Sequence, residues 1–516
     1  MSGRVAADRL SVSFVNKRGV MERAIEANPE WLLYWCRQGS AALANAPDAL
    51  WADLDLRERA AGVRDATPIL LDPAARVDPR LARFLGRSRF ALLALGTREA
   101  YVKDYRLFFT FLWRRGRYWD EASSDDIDDY EAWRRRAPEN PQRIGGAKWA
   151  RELAAFTLFY GWAVDKGHVV RNPVVFQTMR RRDGSTYDTA ANHPKDVRYS
   201  NVKWVTPRTF RLWRDVGLRG YERSGMPQPG WRGRNDGRNT AFADLLFESG
   251  LRLREGGCLL TFEVPATTIG RTYVEGTVAA AVAKNRERMF YVPAKVVDQI
   301  SAYVATTRRA VILRAQRGRR YEALKDKLVV SAPPASHPYR LEWTDERGGT
   351  GRAPAGALGP GERQRLFIEG PQGLEPLQLW LTEGGMPMDY RSWEAVFGAA
   401  NDRCSTHGTP VRLTPHMCRH SFALKMLVTL QRAFDERFGL DAKERDHLRK
   451  VYGDVFSLVK DLLGHRSEET TRNIYLEPLN GVRLAMILDG SEDLGRILAG
   501  VAASSRLVVD IADAGQ

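Results

Sequence analysis

The sequence predicts a mainly α-helical protein with a small β-sheet, in which a helical domain is followed by a mixed α/β domain. Three observations support this fold class. Apolar residues recur at helical spacing over 97–115 and 149–160, and two runs rich in β-branched and aromatic residues lie within 273–293. Between these parts, residues 180–204 are polar and have no periodicity, as is typical of a linker.

Charge and cysteine usage restrict the class of protein. The 516-residue chain has a net charge of +16, which favours a polyanionic partner, although a basic enzyme that binds no nucleic acid would have the same composition. The four cysteines are scattered without a C-x-x-C pair, and no apolar run is long enough to span a membrane. Since the N-terminus also lacks a signal-peptide pattern, we expect a cytoplasmic protein with free thiols and no membrane contact.

The helix predicted over 97–115 has one aromatic face, which favours the core of a helical bundle over a platform for stacking bases. That face consists of Tyr101, Tyr105, Phe108, Phe109 and Leu112. Basic residues lie between them and form either a solvated face or a set of phosphate contacts, of which we favour phosphate contacts. They are Lys103, Arg106, Arg114, Arg115 and Arg117. Residues 1–95 are also expected to be mainly helical and contain no recognisable motif.

The second domain begins near Pro207, and one of its helices ends at Gly250. The sequence L-R-L-R-E follows, so Arg252 and Arg254 both lie within one helical turn of Glu255. Either arginine could pair with that glutamate at the surface or bind an anion.

A β-hairpin is predicted next, with strands over 273–282 and 288–293 and the sequence A-K-N-R-E between them. Lys284 lies in its turn, and Arg286 is a near neighbour that could bind phosphate. A lysine in a turn is most often simply solvated, so the turn alone assigns no role.

The stretch 413–475 carries the densest set of chemically active residues. Thr414 is a suitable N-cap and Pro415 a suitable first residue, so that His416, Arg419 and His420 share one face of a helix. A second amphipathic helix ends at Gly464, directly before His465, and a third, short helix carries Tyr475.

These motifs resemble those of the tyrosine recombinase (phage integrase) family. The resemblance rests on H-x-x-R-H at 416–420, L-G-H at 463–465, a tyrosine ten residues later, and G-L-R ending at Arg252. Because the family's first arginine directly follows G-L, Arg252 is preferred over Arg254.

The resemblance also implies a role for each residue. Tyr475 would be the nucleophile toward a DNA phosphate, and Lys284 would protonate the leaving oxygen. Arg252 and Arg419 would bind the phosphate, and His416 and His465 would either donate to the phosphate or take the proton of the tyrosine. His420 would support Arg419 without touching the substrate. Lys103, Arg106 and Arg286 are further candidate contacts with DNA.

The same resemblance divides the chain into five segments. They are a helical extension at 1–95, a helical core-binding (SAM-like) domain at 96–180, a linker at 181–206, a catalytic domain at 207–490 and a tail at 491–516. Within the catalytic domain, 308–378 and 432–452 are longer than compact family members require, and we interpret both as insertions. In the first of them, residues 345–373 are rich in Gly, Pro and Arg and have little periodicity, which indicates a long loop.

We therefore expect a site-specific DNA recombinase of a mobile genetic element, which cuts and rejoins DNA through a 3′-phosphotyrosyl link without metal, cofactor or ATP. Its partner would be duplex DNA carrying recombination sites. It would act as a homotetramer on two such sites, and other recombinases of the same element would be further partners. The alternatives are a type IB topoisomerase-like enzyme and a non-catalytic DNA-binding protein of the same fold. A metal site at His416 and His420 is disfavoured, because Arg419 lies between them and the glutamate of H-E-x-x-H is missing.

Overall fold

The computed structural model describes residues 30–36, 60, 66–180, 184–196, 203–284, 286–332, 339–346, 348–436, 455–465, 468 and 471–472, with backbone alone at 87 and 431–436. They belong to two compact units, Met1–Tyr199 and Ser200–Gln516. Helices dominate the described part of the chain, and its strands form four small sheets, which confirms the predicted fold class. None of the described helices is both long and apolar enough to cross a membrane.

The first unit contains four helices and four strands within its described residues. The helices are α1 (Pro79–Arg87), α2 (Leu95–Arg114), α3 (Ser124–Arg135) and α4 (Gly146–Asp165). The strands are β1 (Leu32–Trp35), β2 (Pro68–Leu71), β3 (Phe176–Arg180) and β4 (Thr186–Ala190).

The aromatic face of α2 forms the core of this unit. Tyr105, Phe108 and Phe109 are each at most 1% exposed. Phe108 packs on Phe156 of α4, with ring centroids 4.7 Å apart, and the Tyr105 hydroxyl donates to the carbonyl oxygen of Ala155 at 2.9 Å. Because the rings are buried inside the bundle, the prediction of a core is confirmed, and these rings cannot stack on bases.

The described part of residues 1–95 differs from the helical expectation, because β1 and β2 pair as an antiparallel ribbon. Trp31, directly before β1, is 1% exposed and lies 5.3 Å from the ring of Phe109. Its backbone N–H donates to Thr110 Oγ1 at 3.0 Å. This segment therefore completes the core of the first unit.

The basic residues of α2 fall into two groups. Arg114, Arg115 and Arg117 each form an ion pair with a carboxylate of their own unit. Lys103 is exposed and Arg106 is partly exposed, and neither has an ion pair among the described residues. Only the second group keeps its charge unmatched by a neighbouring acid, as a phosphate contact requires.

The predicted linker is partly structured. Strands β3 and β4 pair antiparallel over 176–190 and form a ribbon that is exposed on both faces. Phe176 and Tyr187 are 47% and 41% exposed. The polar composition hid this hairpin, because a ribbon without a buried face has no alternating apolar pattern.

The second unit holds the remaining elements. Its described helices are α5 (Pro207–Arg219), α6 (Asp236–Ser249), α7 (Leu253–Gly257), α8 (Ala294–Tyr303), α9 (Arg309–Arg317), α10 (Pro360–Gln364), α11 (Ser392–Thr406), α12 (Pro415–Glu436) and α13 (Val455–Leu463). Its strands are β5 (Tyr273–Val278), β6 (Arg288–Pro293), β7 (Leu328–Val330), β8 (Arg340–Asp345), β9 (Thr350–Pro354), β10 (Leu366–Gly370) and β11 (Gly373–Pro376). Cys258, Cys404 and Cys418 are buried among them.

The region 308–378 contains regular structure, including strands within 345–373, where the composition indicated a long loop. It contains α9 and a five-stranded sheet in the order β11-β10-β7-β8-β9, in which β7 and β10 run parallel. Leu328, Val330 and Leu341 form part of its buried face. Strands of three to six residues separated by Gly- and Pro-rich turns are too short to give a clear period in the sequence.

Several of the expected features lie outside the described residues. They are most of the 432–452 insertion, where α12 is described as far as Glu436, most of the third helix with Tyr475, of which only 468 and 471–472 are described, and the tail at 491–516.

Candidate active site

Helix α12 begins as the sequence predicts. The backbone N–H of Met417 donates to Thr414 Oγ1 at 3.3 Å. Asn401 of α11 exchanges two hydrogen bonds with the backbone of Leu413 and so fixes the segment that enters the helix. The rings of His416 and His420 lie 4.3 Å apart, which places both on one face of the helix.

Helix α6 ends against α12 at Gly250, which has φ +66°. A Cβ at this position would lie 2.3 Å from the ring of Phe422, so only glycine allows the two helices to approach this closely. The chain then turns into α7 with Arg252 as its N-cap residue. The carbonyl of Gly250 also accepts from Arg419 Nη1 at 2.5 Å.

Arg252 and Arg254 point to different partners. Arg252 Nη1 donates to Glu255 Oε1 at 2.6 Å, and Nη2 lies 3.4 Å from the carbonyl of Gly464. Arg254 Nε instead donates to the carbonyl of Val282 at 2.8 Å, beneath the hairpin. The arginine next to the L-G-H turn is thus Arg252.

The predicted hairpin is formed by β5 and β6, which pair antiparallel from Tyr273↔Pro293 to Val278↔Arg288. Lys284 lies in the segment that joins them, is exposed, and has φ +55°. Burial and then the charges of Arg252 and Arg419 lower the pKa of Lys284. Its ammonium group is therefore close enough to both guanidinium groups to be affected by them.

The C-terminal end of α13 is the point at which the arginines meet. The last carbonyls of a helix have no intrahelical partner and carry the negative end of the helix dipole. Four successive carbonyls, 462–465, each accept from a different guanidinium group. Arg288 donates to the carbonyl of Leu462 at 2.7 Å, and Arg419 donates to that of Leu463. Arg252 donates to the carbonyl of Gly464 and Arg286 to that of His465, both at 3.4 Å.

Glu255 holds two of these arginines. Its two carboxylate oxygens accept from Arg252 and from Arg288, each at 2.6 Å, and its side chain is fully buried. Burial alone would raise the pKa of Glu255, but the charges of Arg288, Arg252 and Arg419 lower it below its usual value. A buried carboxylate therefore stays ionised and keeps the guanidinium groups in place.

His465 is fixed by the segment that follows it. Its Nδ1 lies 2.9 Å from the hydroxyl of Thr471, whose side chain is buried. The guanidinium of Arg472 lies over the ring of Phe456 in α13, 4.6 Å from its centroid. Tyr475, the predicted nucleophile, is outside the described residues, which end at 472.

The three histidines share a strongly positive environment. Burial and then Arg419 and Arg252 lower the pKa of His465 to about 3. Burial and the neighbouring His416 lower the pKa of His420 to about 3. The pKa of His416 is lowered by burial and by Arg419, although its ring remains at the surface. Burial and the neighbouring cations therefore favour the neutral form of all three imidazoles.

The structure thus brings five of the six predicted catalytic residues to one end of the second unit: Arg252, Lys284, His416, Arg419 and His465. His420 lies behind His416 and is buried, and Arg286 contacts the same turn as His465. Lys103 and Arg106 belong to the first unit.

Three residues of this site were missed or undervalued in the sequence. Glu255 was considered only as a surface partner, although a glutamate in the first turn of a helix can accept the N-cap backbone N–H, as it does here from Arg252 at 2.8 Å. Arg288 occupies an inward position in the alternation of β6, with Phe290 and Val292, and a buried arginine requires partners. Thr471 carries no signal that sequence reasoning could have used.

A metal centre does not arise from the residues that the structure describes. No group of three or more His, Cys, Asp or Glu side chains among them is arranged to hold a metal ion. The two histidines of H-M-C-R-H have Arg419, Arg252 and Lys284 as charged neighbours, which repel a cation.

No family model matches the sequence, and no curated protein matches it either. Site-specific recombinases and a phage integrase are among the solved structures to which the chain is similar. A XerH site-specific recombinase bound to a palindromic difH substrate, in a post-cleavage complex, is 11% identical, covers 80% of this chain and 82% of its own, and has a TM-score of 0.41. XerA recombinase is 15% identical over 76% of this chain and 91% of its own, with a TM-score of 0.26. The integrase from mycobacterium phage Brujita is 14% identical over 82% and 92%, with a TM-score of 0.23.

These likenesses are weak in both identity and TM-score. The resemblance to tyrosine recombinases therefore rests on the motifs and on the way in which the structure gathers their residues. Chemically, the cluster offers guanidinium groups, an ammonium group with a lowered pKa and neutral imidazoles, a set suited to binding and protonating a phosphodiester.

Proposed function

We propose that this protein is a site-specific DNA recombinase that breaks and rejoins DNA strands through Tyr475. The observation that carries the proposal is the convergence of Arg252, Arg419 and His465 at the C-terminal end of α13, from segments separated by up to 213 positions in the sequence. The hairpin that carries Lys284 contacts the same helix end through Arg288. The family resemblance supplies the nucleophile, and the geometry supports the environment that such a nucleophile needs.

In the proposed reaction, the phenol oxygen of Tyr475 attacks the phosphorus and the 5′ oxygen of the next nucleotide leaves. Arg252 and Arg419 stabilise the charge that develops on the non-bridging oxygens, and an interaction of this kind is worth about 3–4 kcal/mol for each donor. The lowered pKa of Lys284 makes its ammonium group a better acid for the leaving oxygen near neutral pH.

His416 would take the proton of the phenol, because its ring is exposed and its pKa is not lowered to the value of about 3 found for His465. His465, whose Nδ1 lies against the hydroxyl of Thr471, would instead donate to a non-bridging oxygen of the phosphate. Thr471, which lies against His465, precedes the proposed nucleophile by four residues in the sequence.

Reversal of the same steps would rejoin the strands, since the phosphotyrosyl ester conserves the energy of the broken bond. We further propose duplex DNA with specific sites as the partner, recombination of a mobile element as the process, and a tetramer on two sites as the active assembly. Lys103, Arg106 and Arg286 are proposed contacts with the DNA backbone.

The test is covalent capture of DNA by the full chain. The protein is incubated with a pool of nicked duplexes of randomised sequence, and DNA that remains attached under denaturing conditions is recovered and sequenced. We expect a defined sequence to be enriched by the wild-type protein and no DNA to be recovered with Tyr475→Phe. Recovery of DNA by that variant would refute the nucleophile, and recovery of none by the wild type would refute the function.

The recovered sequence also separates the proposal from its alternatives. A recombinase joins two captured duplexes into recombinant products, whereas a topoisomerase-like enzyme only relaxes supercoiled DNA and shows little sequence enrichment. A non-catalytic DNA-binding protein retains DNA under native conditions alone.

A further inference from the structure

Arg288 stands out because it is a buried cation on the apolar face of a hairpin. It is the first residue of β6, and it shares its inward face with Phe290 and Val292, which are each at most 1% exposed. Its own side chain is 6% exposed. A charge in such a position is tolerated only where it is paired and hydrogen-bonded.

The partners of Arg288 come from two other parts of the unit. Nη2 donates to Glu255 Oε2 at 2.6 Å, and Nη1 donates to the carbonyl of Leu462 at 2.7 Å. Glu255 in turn holds Arg252, and Leu462 lies three residues before His465. One guanidinium therefore connects the hairpin to the supports of both Arg252 and His465.

The absence of a side chain at Gly464 leaves room for the side chain of Arg288. Gly464 adopts φ +63°, and a Cβ there would lie 2.6 Å from Arg288 Cδ and 3.0 Å from Nε. The glycine of the L-G-H sequence thus ends α13 and also leaves room for the arginine to pass beneath the turn.

We propose that Arg288 is a positioning residue that holds the β5–β6 hairpin against the L-G-H turn, so that Lys284 is directed toward the phosphate. This inference rests on the proposed function. Arg288 lies four residues after Lys284, at the first strand position beyond the loop that carries it. Fixing Arg288 fixes the end of that loop. The buried guanidinium does not itself touch the substrate.

The test compares two substrates that differ in their need for a proton. In a 5′-bridging phosphorothiolate, attack by the tyrosine oxygen forms the P–O bond and breaks a P–S bond, and the sulfur leaves as a thiolate without protonation. The substrate is a nicked duplex of the sequence recovered by covalent capture, made with either oxygen or sulfur at the scissile position. The measured quantity is the rate at which the covalent adduct forms at saturating protein.

We expect Arg288→Met to slow cleavage of the oxygen substrate by about ten- to a hundredfold, as the loss of an oriented general acid does. Cleavage of the sulfur substrate should remain within about threefold of the wild-type rate, because that step needs no acid. Lys284→Ala should give the same pattern. The double variant should be no slower than Lys284→Ala alone, since the two residues act as one unit.

Arg271→Met is the matched control, because Arg271 precedes the same hairpin and is exposed. It should leave the ratio of the two rates unchanged. Arg288→Lys, which can reach only one of the two partners, should fall between the wild type and Arg288→Met. Equal slowing of both substrates by Arg288→Met would overturn the proposal, since a general loss of folded protein lowers both rates alike.

Hydrogen exchange provides a readout that needs no activity. In Arg288→Met the amides of β5, β6 and the turn at Gly464 should exchange about tenfold faster or more, while those of Arg271→Met should not change. Unchanged exchange in Arg288→Met would refute the proposal that Arg288 holds the hairpin against the turn, even if the protein cuts no DNA. Absence of any adduct with the wild type, together with faster exchange in Arg288→Met, would refute the proposed function but support the contact between the hairpin and the turn.

Discussion

Arg419 Nη1 donates to the backbone carbonyl of Gly250 at 2.5 Å, although the two residues are 169 positions apart. The same guanidinium also donates to the carbonyl of Leu463. Arg419, which is expected to bind substrate, thus also connects the start of α12 to the ends of α6 and α13 through hydrogen bonds. Its two functions can be separated by measuring folding and catalysis on the same variants.

Replacing Arg419 should destabilise the second unit as well as abolish the adduct. Arg419→Ala leaves two helix-end carbonyls without their donor, which should cost about 2–4 kcal/mol in the free energy of unfolding. Arg419→Lys should recover part of this stability but little activity, because an ammonium group cannot donate in two fixed directions.

Arg412→Ala serves as the control, since Arg412 is exposed shortly before the same helix. It should change the free energy of unfolding by less than about 0.5 kcal/mol. The free energy of unfolding of both variants is measured by denaturant unfolding, with hydrogen exchange of the α12 amides as the readout. Equal stability of Arg419→Ala and Arg412→Ala would contradict the structural role.

Gly464→Ala should be more costly than an otherwise similar change at Gly408. Both glycines have positive φ, at +63° and +67°. An added Cβ meets the side chain of Arg288 at position 464 and nothing within 4 Å at position 408. We expect Gly408→Ala to cost about 1 kcal/mol and Gly464→Ala about 2–3 kcal/mol, because only the second adds a steric clash to the backbone strain.

The comparison is measured by denaturant unfolding of the single variants Gly408→Ala, Gly464→Ala and Arg288→Ala, and of Gly464→Ala combined with Arg288→Ala. The shorter side chain should relieve the clash, so that the penalty of Gly464→Ala becomes smaller in the combined variant. An unchanged penalty would show that the arginine and the glycine do not contact each other.

Acid should destabilise the second unit through its histidines. The folded-state pKa values of His420 and His465 are both about 3, below the value of 6.5 for an unperturbed histidine. The unfolded chain therefore binds protons that the folded chain cannot. The stability that neutral histidines contribute is complete above about pH 6.5 and is lost as the pH falls toward 3.

Between about pH 6.5 and pH 5 the loss should be about 1.5 kcal/mol for each of these two histidines. His420→Gln should make the pH dependence of the unfolding free energy shallower by about that amount. His407→Gln should leave it unchanged, because His407 is exposed at the end of α11. A slope that is the same in both variants would argue against the buried position of His420.

The N-terminal segment should prove necessary for the first unit. Trp31 is buried against Phe109 and Tyr118, so that Trp31→Ala should cost about 3–5 kcal/mol. Tyr34→Ala, at a position that is 52% exposed, should cost less than about 1 kcal/mol. Thermal unfolding of the first unit, detected by hydrogen exchange of the α2 amides, distinguishes the Trp31→Ala variant from the Tyr34→Ala variant. A small effect of Trp31→Ala would mean that β1 is dispensable.

The helix and the hairpin that carry the candidate residues could be predicted because their patterns are local, whereas the proposed roles came from the family resemblance. Thr414, His416 and His420 lie within two turns of one helix, and Lys284 lies between two strands that alternate clearly. The supports were harder to find, since Arg288 meets Leu462 across 174 positions and no local pattern encodes that contact. The sheet over 308–378 was missed for a different reason, because its strands are short and its turns contain much of the glycine and proline.

The buried thiols have a practical consequence for spectroscopy. Burial raises the pKa of Cys258 and of Cys404 to about 12, and it raises that of Cys418 as well. Maleimide reagents need a thiolate that they can reach, so these three side chains should stay unlabelled in the folded protein. Once Cys36 is replaced by serine, a cysteine introduced at Arg271 or Arg412 would carry a single fluorophore, and energy transfer to labelled oligonucleotides could then follow the hairpin and the His416 helix in real time.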